Sequence, residues 1–498
     1  MWGIETLLST LAGGISLLVL FRRIQSTRPS LVPKSVALVV LGDIGRSPRM
    51  MYHAESLARN GYTTHIVAYR GSAPPKHLLE NPHMRFVYLP TPLGWVSGLP
   101  RPLFLLCLPL KVIVGAWDLL RALVSIQIAP AFLFVQNPPA IPTLIVVKLA
   151  AFLRGSKVII DWHNTGYSVL ALRLGRRHPV VLFAKFLELL FGRLAYAHLT
   201  VSDAMKHELI SEANLRGRVV TFHDRPPATF RRLEEQEAHN LFSRLPSLNS
   251  LSEWEPAFEP DSTLFTTASG SLRAYRPALL VSSTSWTADE DFSILLRALE
   301  LYETAARKFA AGEGGLRDSH GQVIPLSGKK AARKLPKIVV LVTGKGAGKK
   351  AFEADVERLE RKWDWVRART EWLEREDYPR LLGSADLGVS LHTSTSGIDL
   401  PMKVVDMFGC GLPVLALDFP CLGELIKDGK NGRTFETAED LADELITLLL
   451  GFPMPFPSDI DILRVGIKDC KYGGGEPGQE WESWEAHWDR IVAPLMAP

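Results

Sequence analysis

Short apolar runs, each closed by glycine or a polar loop and followed by a stretch with helical spacing, recur along this chain and set its expected architecture. SVALVVLG (35–42) is such a run; DIGRSPRM (43–50) follows as a loop and MYHAESLARNG (51–61) as a helix stopped by glycine, before YTTHIVAY (62–69) opens the next run. RFVYLP (85–90), AFLFVQ (131–136) and KVIIDWHN (157–164) repeat the theme, separated by helical stretches. The pattern restarts with PALLVSST (277–284), a helix from Asp291 to about Lys308, KIVVLVTGKG (337–346), a helix over 349–363, ADLGVSLH (385–392) and GLPVLAL (411–417). Uninterrupted apolar strands alternating with helices predict parallel sheets covered on both faces. The expected fold class is therefore α/β, with two tandem Rossmann-like, doubly wound domains, the first over 33–242 and the second over 276–475.

The segments outside this repeat divide into polar and apolar ones. Residues 243–275 are rich in Ser, Pro and Thr without periodicity and predict a disordered linker or insertion, while the Gly-rich stretch 312–336 predicts a surface loop. In the tail, 476–498, Trp481, Trp484 and Trp488 fall at helical spacing, as expected of a helix packing on the domains. Trp2–Phe21 is a mostly apolar run of bilayer-spanning length followed at once by Arg22 and Arg23, which predicts a transmembrane anchor over 1–23. A secretory signal would carry its positive charge before the apolar run. With Arg28, the two arginines predict that the rest of the chain stays cytosolic. Residues 99–134, interrupted by Pro109, Lys111, Asp118 and Arg121, and residues 180–197, interrupted by Lys185, Glu188 and Arg193, are not clean spans. A core helix and a face resting on a bilayer are both open for 99–118, and 180–197 is expected in the core.

Composition narrows the partners. A chain of 498 residues, 47% hydrophobic and 22% charged, has room for two cores, and a net charge of +4 with scattered basic residues shows no nucleic-acid stripe. Cys107, Cys410, Cys421 and Cys470 lack pairing or metal-ligand spacing, and there is no N-x-[ST] acceptor, which suits a reducing compartment.

The stretch SGIDLPMKVVDMFGCGLPVLA (396–416) holds Lys403 and Asp406 on an otherwise apolar helix, after the loop HTSTSG (392–397). Small residues such as Ser394, Ser396 and Gly397 let backbone N–H groups approach an anion, Lys403 adds a charge for a diphosphate, and Asp406 suits paired ribose hydroxyls. The competing reading is an i, i+3 ion pair between Lys403 and Asp406. GKGAGK (344–349) does not meet the P-loop pattern, so Gly344 and Lys345 are assigned to a glycine-rich turn near the nucleotide. Asp289-Glu290-Asp291 contains a D-x-D but precedes a helix, where acidic residues suit the dipole; no metal site is expected.

The ending DMFGCGLPVLALDFPCLGELIKDGKNGRTF (406–435), with its G-x-P-V strand and E-x-I-x-x-G-x-x-G stretch, resembles the donor half of GT-B glycosyltransferases. GDIGRSPRM (42–50), IDWHNTGYS (160–168), VSSTSWTADEDF (281–292), VTGKG (342–346) and SGIDLPMKVVDMFGCG (396–411) together resemble glycosyltransferase family 33 from about residue 35 to 490. Against the E-x7-E pattern of other GT-B enzymes, Asp406 stands at the second position and Ile398 at the first, with Asp399 one residue off. The resemblance implies two domains facing a cleft and inverting β-1,4 transfer of mannose from GDP-mannose to dolichyl-diphosphate-linked di-N-acetylchitobiose, with membrane lipid and other transferases of the same pathway as partners. It implies no cofactor, since GDP-mannose is a substrate, and a place on the cytosolic face of the endoplasmic reticulum. Another lipid-linked sugar transferase, or a non-catalytic scaffold of the same fold, are the alternatives. Inverting transfer needs a base for the acceptor hydroxyl. Asp43, after the first strand, is the leading candidate; the strand-end pair Asp161 and His163 competes, and Arg46 and Arg49 are candidates for the lipid diphosphate.

Overall fold

The computed structural model describes residues 34–98, 100–251, 254, 259–287, 290–317, 323–325, 334–394, 397–453, 458–469 and 482–497. The expected anchor, Arg28, Asp289, Ser396, Cys470 and Trp481 lie outside them. Two compact units result, one running to Phe222 and taking in the segment from Trp488, the other spanning His223–His487.

The first unit is built on a seven-stranded parallel sheet of β1 (Ser35–Asp43), β2 (Thr63–Tyr69), β3 (Met84–Leu89), β4 (Phe132–Asn137), β5 (Lys157–Trp162), β6 (Leu194–Thr200) and β7 (Arg216–Thr221), in the order 3-2-1-4-5-6-7. The order reverses between β1 and β4, so the carboxyl ends of the central strands open at a topological switch point, where α/β sheets place their ligands. Val36–Val40 of β1 are buried because helices cover both faces, which is why that strand reads as an unbroken apolar run. The second unit carries β8 (Ala278–Ser283), a hairpin of β9 (Gly315–Arg317) and β10 (Val323–Pro325), then β11 (Ile338–Thr343), β12 (Val366–Glu371), β13 (Leu387–Ser390), β14 (Val414–Leu417) and β15 (Gly432–Phe435). Its parallel sheet has the order 12-11-8-13-14-15. The α/β class and the two parallel sheets agree with the sequence pattern.

Three expectations are corrected. The polar stretch 243–275 is built into the second unit wherever it is described: Phe265 is buried against Phe242 at 4.8 Å, Arg244 forms a bidentate ion pair with Asp377, and the indole of Trp254 donates to the Asp364 carbonyl at 2.9 Å. A few buried aromatic anchors fix this segment although it lacks periodicity, and the boundary between units falls at residue 222 rather than 242. Residues 180–197 are not core throughout. The helix Pro179–Gly192 leaves Leu182, Phe183 and Phe186 exposed, and the chain then enters β6. In the stretch 99–134 a helix runs over Arg101–Ser125 with Leu106, Ile113 and Trp117 in solvent. Among the described residues no helix is long and apolar enough to cross a membrane.

The tail behaves as its tryptophan spacing predicts. Trp484 and Trp488 are buried on the helix Trp484–Ile491, and within the first unit the Trp488 indole donates to His53 Nδ1 at 3.0 Å.

Candidate active site

In the first unit the chemistry gathers at the carboxyl ends of β1 and β5. Asp161 is wholly buried. From the helix Pro48–Arg59, Arg49 donates Nε to its Oδ2 at 2.9 Å and Nη2 to its Oδ1 at 2.8 Å, and Nη2 also donates to the Phe222 carbonyl at 2.9 Å. His163 Nε2 lies 2.7 Å and His53 Nε2 3.2 Å from Asp161 Oδ2. Burial by itself would raise the Asp161 carboxyl, but the Arg49 guanidinium and then His163 outweigh it and hold the group well below the usual carboxylate range. Burial brings His53 down to about 4, with Asp161 pulling the other way, so this imidazole is neutral near pH 7. An indole can only donate, so His53 Nδ1 accepts from Trp488 and the ring hydrogen sits on Nε2, facing Asp161.

An ionised, immobile carboxylate thus orients His163, whose side chain is 22% exposed while those of Arg49, His53 and Asp161 are shut off from water. With Nε2–H held by Asp161, Nδ1 is the nitrogen that can take a proton, the arrangement of a carboxylate-oriented histidine base. The loop that follows is pinned as well. Glu188, buried, accepts from Asn137 Nδ2 at 2.7 Å and from the backbone N–H groups of Gly166 and Tyr167 at 2.8 and 3.0 Å, closing the start of the helix Gly166–Leu174.

Asp43 is differently employed. Its Oδ1 accepts from Gly45 N at 3.0 Å and its Oδ2 from Ser72 N at 2.8 Å, with Arg46 Nε 3.5 Å away, so the carboxylate ties the loop after β1 to the loop after β2. Burial would raise it, yet the Ser72 hydrogen bonds, then those of Gly45 and the charge of Arg46, leave it lowered. A carboxylate whose charged form is favoured in this way has little appetite for a substrate proton. Arg46 is free of the interior, whereas Arg49 is not the surface cation expected for a lipid diphosphate: it is consumed by Asp161.

The second unit gathers the loops after β8, β11 and β13. Gly344, at φ +140°, lies so near the loop after β8 that a Cβ there would collide with the Thr284 carbonyl, and the Trp286 indole donates to the Gly344 carbonyl at 3.2 Å. Only glycine supplies both that backbone angle and that approach. Lys345 leaves the turn to lie over the Trp372 ring, 3.7 Å from its centroid. Beyond β13, Ser394 Oγ accepts from Gly397 N at 2.8 Å and hydrogen-bonds to the Asp399 carboxylate, stapling the loop that precedes the helix Met402–Gly409. Ile398 is buried, and Asp399 rather than Ile398 offers a carboxylate here.

Lys403 and Asp406 do not pair with each other. Lys403 Nζ lies 2.6 Å from Glu290 Oε1, and Glu290 Oε2 is held by the hydroxyl of Thr284 and the N–H of Ser285. Glu290 therefore serves as the partner that locates Lys403 rather than as a helix-dipole charge; that role belongs to Asp291, which caps Ser293 N at 2.9 Å. Sequence spacing could not reveal a pair 113 residues apart. Asp406 faces Tyr378 Oη at 3.5 Å and the charge of Asp224. Burial first, and Asp224 second, push Asp406 well above the usual carboxylate range, so it holds a proton far more readily than an exposed aspartate.

Two tandem parallel α/β units with polar, charge-bearing loops at the carboxyl ends of their strands are the plan of GT-B glycosyltransferases. Sequence models for a glycosyl transferase 4-like domain and for glycosyl transferases group 1 match residues 45–225 and 322–450. The sucrose-phosphate synthase of Thermosynechococcus elongatus has the same fold, with a TM-score of 0.57 at 12% identity over 93% of this chain and 98% of that one. The protein is a glycosyltransferase of this class. Its sequence is 42% identical over 92% of its length to 96% of the Arabidopsis thaliana protein named UDP-glycosyltransferase TURAN. It is 41% identical over 93% of its length to 89% of the Mus musculus chitobiosyldiphosphodolichol beta-mannosyltransferase. The chain belongs to the chitobiosyldiphosphodolichol beta-mannosyltransferase family.

Proposed function

We propose that this enzyme transfers mannose from GDP-mannose to the distal sugar of dolichyl-diphosphate-linked di-N-acetylchitobiose, with inversion, forming the β-1,4 bond of an N-glycan precursor. The observation that carries the reading is the 41% identity, over 93% of the chain, to the Mus musculus chitobiosyldiphosphodolichol beta-mannosyltransferase. The geometry supplies parts for the chemistry. His163 Nδ1 takes the proton of the acceptor hydroxyl, whose oxygen bonds to the anomeric carbon while the bond to GDP breaks, and Asp161 stabilises the imidazolium that forms. Lys403, anchored on Glu290, supplies a located cation for the departing diphosphate. Arg46 remains the candidate for the acceptor's diphosphate, since its guanidinium is exposed. The apolar segment 1–23, with Arg22 and Arg23 behind it, supports a single-pass anchor in the endoplasmic reticulum membrane with both units cytosolic.

A UDP-sugar donor is the second reading, because the Arabidopsis relative carries that donor in its name. The test is transfer by the purified full chain from GDP-mannose, UDP-glucose and UDP-N-acetylglucosamine to synthetic lipid-linked chitobiose, with the product linkage read by NMR. Transfer from GDP-mannose alone, giving a β-1,4 product, is expected. Preference for either UDP-sugar would sink the donor assignment.

A further inference from the structure

The helices that follow β3, β4 and β5 form one layer of the first unit: Arg101–Ser125 packs on Thr143–Arg154, which packs on Pro179–Gly192, which packs on Gly166–Leu174. Right-handed crossovers over a sheet of this strand order put all of them on one face. That layer buries one apolar face on the sheet, with Leu119, Leu123, Leu144, Val147 and Val181 inside, and turns a second set of apolar residues outward. Leu106 (76% exposed), Trp117 (65%), Ile113, Leu172, Phe183 and Phe186 all stand in solvent, drawn from three different helices. Scattered single exposures need no explanation, but so many large apolar side chains on adjoining helices mark a surface that something covers.

Charge says what covers it. Residues 106–125, 143–154 and 166–192 hold eight Lys and Arg against two acidic residues, Asp118 and Glu188, and Glu188 is buried. The turn between the last two helices carries Arg176, Arg177 and His178, all exposed. Lys185 is taken up by Glu212 of the next helix at 2.7 Å, but the remaining cations, interleaved with the apolar side chains, complement a lipid surface with anionic headgroups, where the apolar groups enter the acyl boundary and the basic ones meet phosphate. A soluble acidic protein would match the charge but not a layer this apolar; a second copy would set these cations against themselves. An apolar groove of about 390 Å³, lined by Tyr69, Pro92, Leu108, Lys111, Val112 and Gly115, opens along the same helix Arg101–Ser125. Its other walls, Tyr69 and Pro92, stand at and just beyond the carboxyl ends of β2 and β3.

We propose that this helical layer of the first unit is a membrane-docking face that lies on a bilayer rich in anionic lipid, independently of the segment 1–23. It goes beyond the proposed reaction, although a lipid-borne acceptor gives such a face a use. The test places nitroxide labels at Leu106→Cys, Ile113→Cys, Phe183→Cys and Phe186→Cys, one at a time, in the full-length chain with Cys107→Ser and Cys470→Ser, and at Tyr275→Cys, 89% exposed in the second unit, as the aqueous reference. Protein reconstituted in vesicles of phosphatidylcholine with phosphatidylserine is probed by collision with oxygen and with a water-soluble nickel chelate. The four labels are expected to favour oxygen severalfold over the chelate relative to position 275, and Arg176→Glu with Arg177→Glu to shift them back toward water. Labels as accessible to the chelate as position 275 overturn the proposal. So does protection that appears equally in detergent and grows with protein concentration, which would identify a second copy. The readout uses neither donor nor acceptor, so it stands or falls apart from the transfer reaction.

Discussion

His163 owes its position to residues that never meet solvent. Arg49 fixes Asp161, Asp161 fixes His163, and the loop beyond is tied down by Glu188. If His163 is the base, His163→Ala should lower kcat by roughly 10²–10⁴-fold with the donor KM little changed, since the proposed donor contacts lie in the second unit. Asp43→Asn should cost about 1 kcal/mol for a weakened cap and leave most of the turnover. Asp161→Asn is a harsher change, because it strands the Arg49 charge in the interior at a cost of roughly 3–5 kcal/mol, so its activity is informative only where the variant is shown to be folded. Steady-state kinetics on the three variants decide the matter: turnover abolished in Asp43→Asn but kept in His163→Ala would return the base to Asp43. Asp406 offers a second residue-level test. Its folded pKa is raised above the ordinary 3.8, so the stability linked to its proton is present at low pH and is lost as pH rises through the folded value. Asp406→Asn keeps a partner for Tyr378 and cannot ionise; its melting temperature should therefore gain on the native protein as pH rises from acid to alkaline. A difference that stays flat with pH would show that Asp406 is ionised in the folded protein as it is in the unfolded chain, and that its pKa is not raised.

At the scale of elements, what the sequence revealed and what it hid follow burial. The central strands β1, β4, β8 and β11 are enclosed on both faces, and their apolar runs are plain in the chain. The edge strands β7, β12 and β15 read RGRVVT, VRARTE and GRTF; half-exposed, they alternate with charges and carry no run to notice. The same holds for the site. Loops with glycine and small residues were visible as motifs, and Gly344 indeed sits where a side chain cannot fit. The partners of charged residues were not visible, because Lys403 with Glu290 and Arg49 with Asp161 pair across more than a hundred residues of chain. Local spacing left open an ion pair between Lys403 and Asp406 that the fold does not make. The loop contact yields a prediction of its own. Gly344→Ala must push the turn after β11 off the loop after β8, breaking the Trp286 hydrogen bond and disturbing the strand end that bears Glu290's partner Thr284. The expected result is a loss of roughly 1–3 kcal/mol in stability and a donor KM raised roughly tenfold. Calorimetry together with donor titration checks it, and unchanged donor affinity in a destabilised protein would remove this loop from the donor site.

For the whole molecule, the chain's end matters to its beginning. Each unit has its own sheet and core, yet the first is completed only by the last residues: Trp488 donates to His53, Asp489 Oδ1 accepts from Arg59 and Asn60, and Tyr62 Oη donates to the Met496 carbonyl. His53 and His198 are both buried, both accept at Nδ1 from a tryptophan indole, and both are brought to about 4 by burial. The sign of the linkage is fixed by that lowering. Near and above the unfolded value of 6.5 each neutral histidine contributes its full share, and the share is lost as pH falls toward 4, on the order of 3 kcal/mol apiece. Trp488→Ala removes the acceptor's partner and opens the site of a large side chain, at roughly 3–5 kcal/mol. It also admits water to His53, whose pKa should climb from about 4 toward 6.5, so that His53 drops out of the acid-induced loss while His198 remains. Melting curves of the native chain and of Trp488→Ala between pH 7.5 and 4.5 should then converge as the solution is acidified, with the imidazole resonance of His53 titrating near neutrality only in the variant. Parallel curves, or a His53 resonance that stays neutral in the variant, would mean that burial by the sheet and Phe134, not the returning tryptophan, keeps this histidine uncharged.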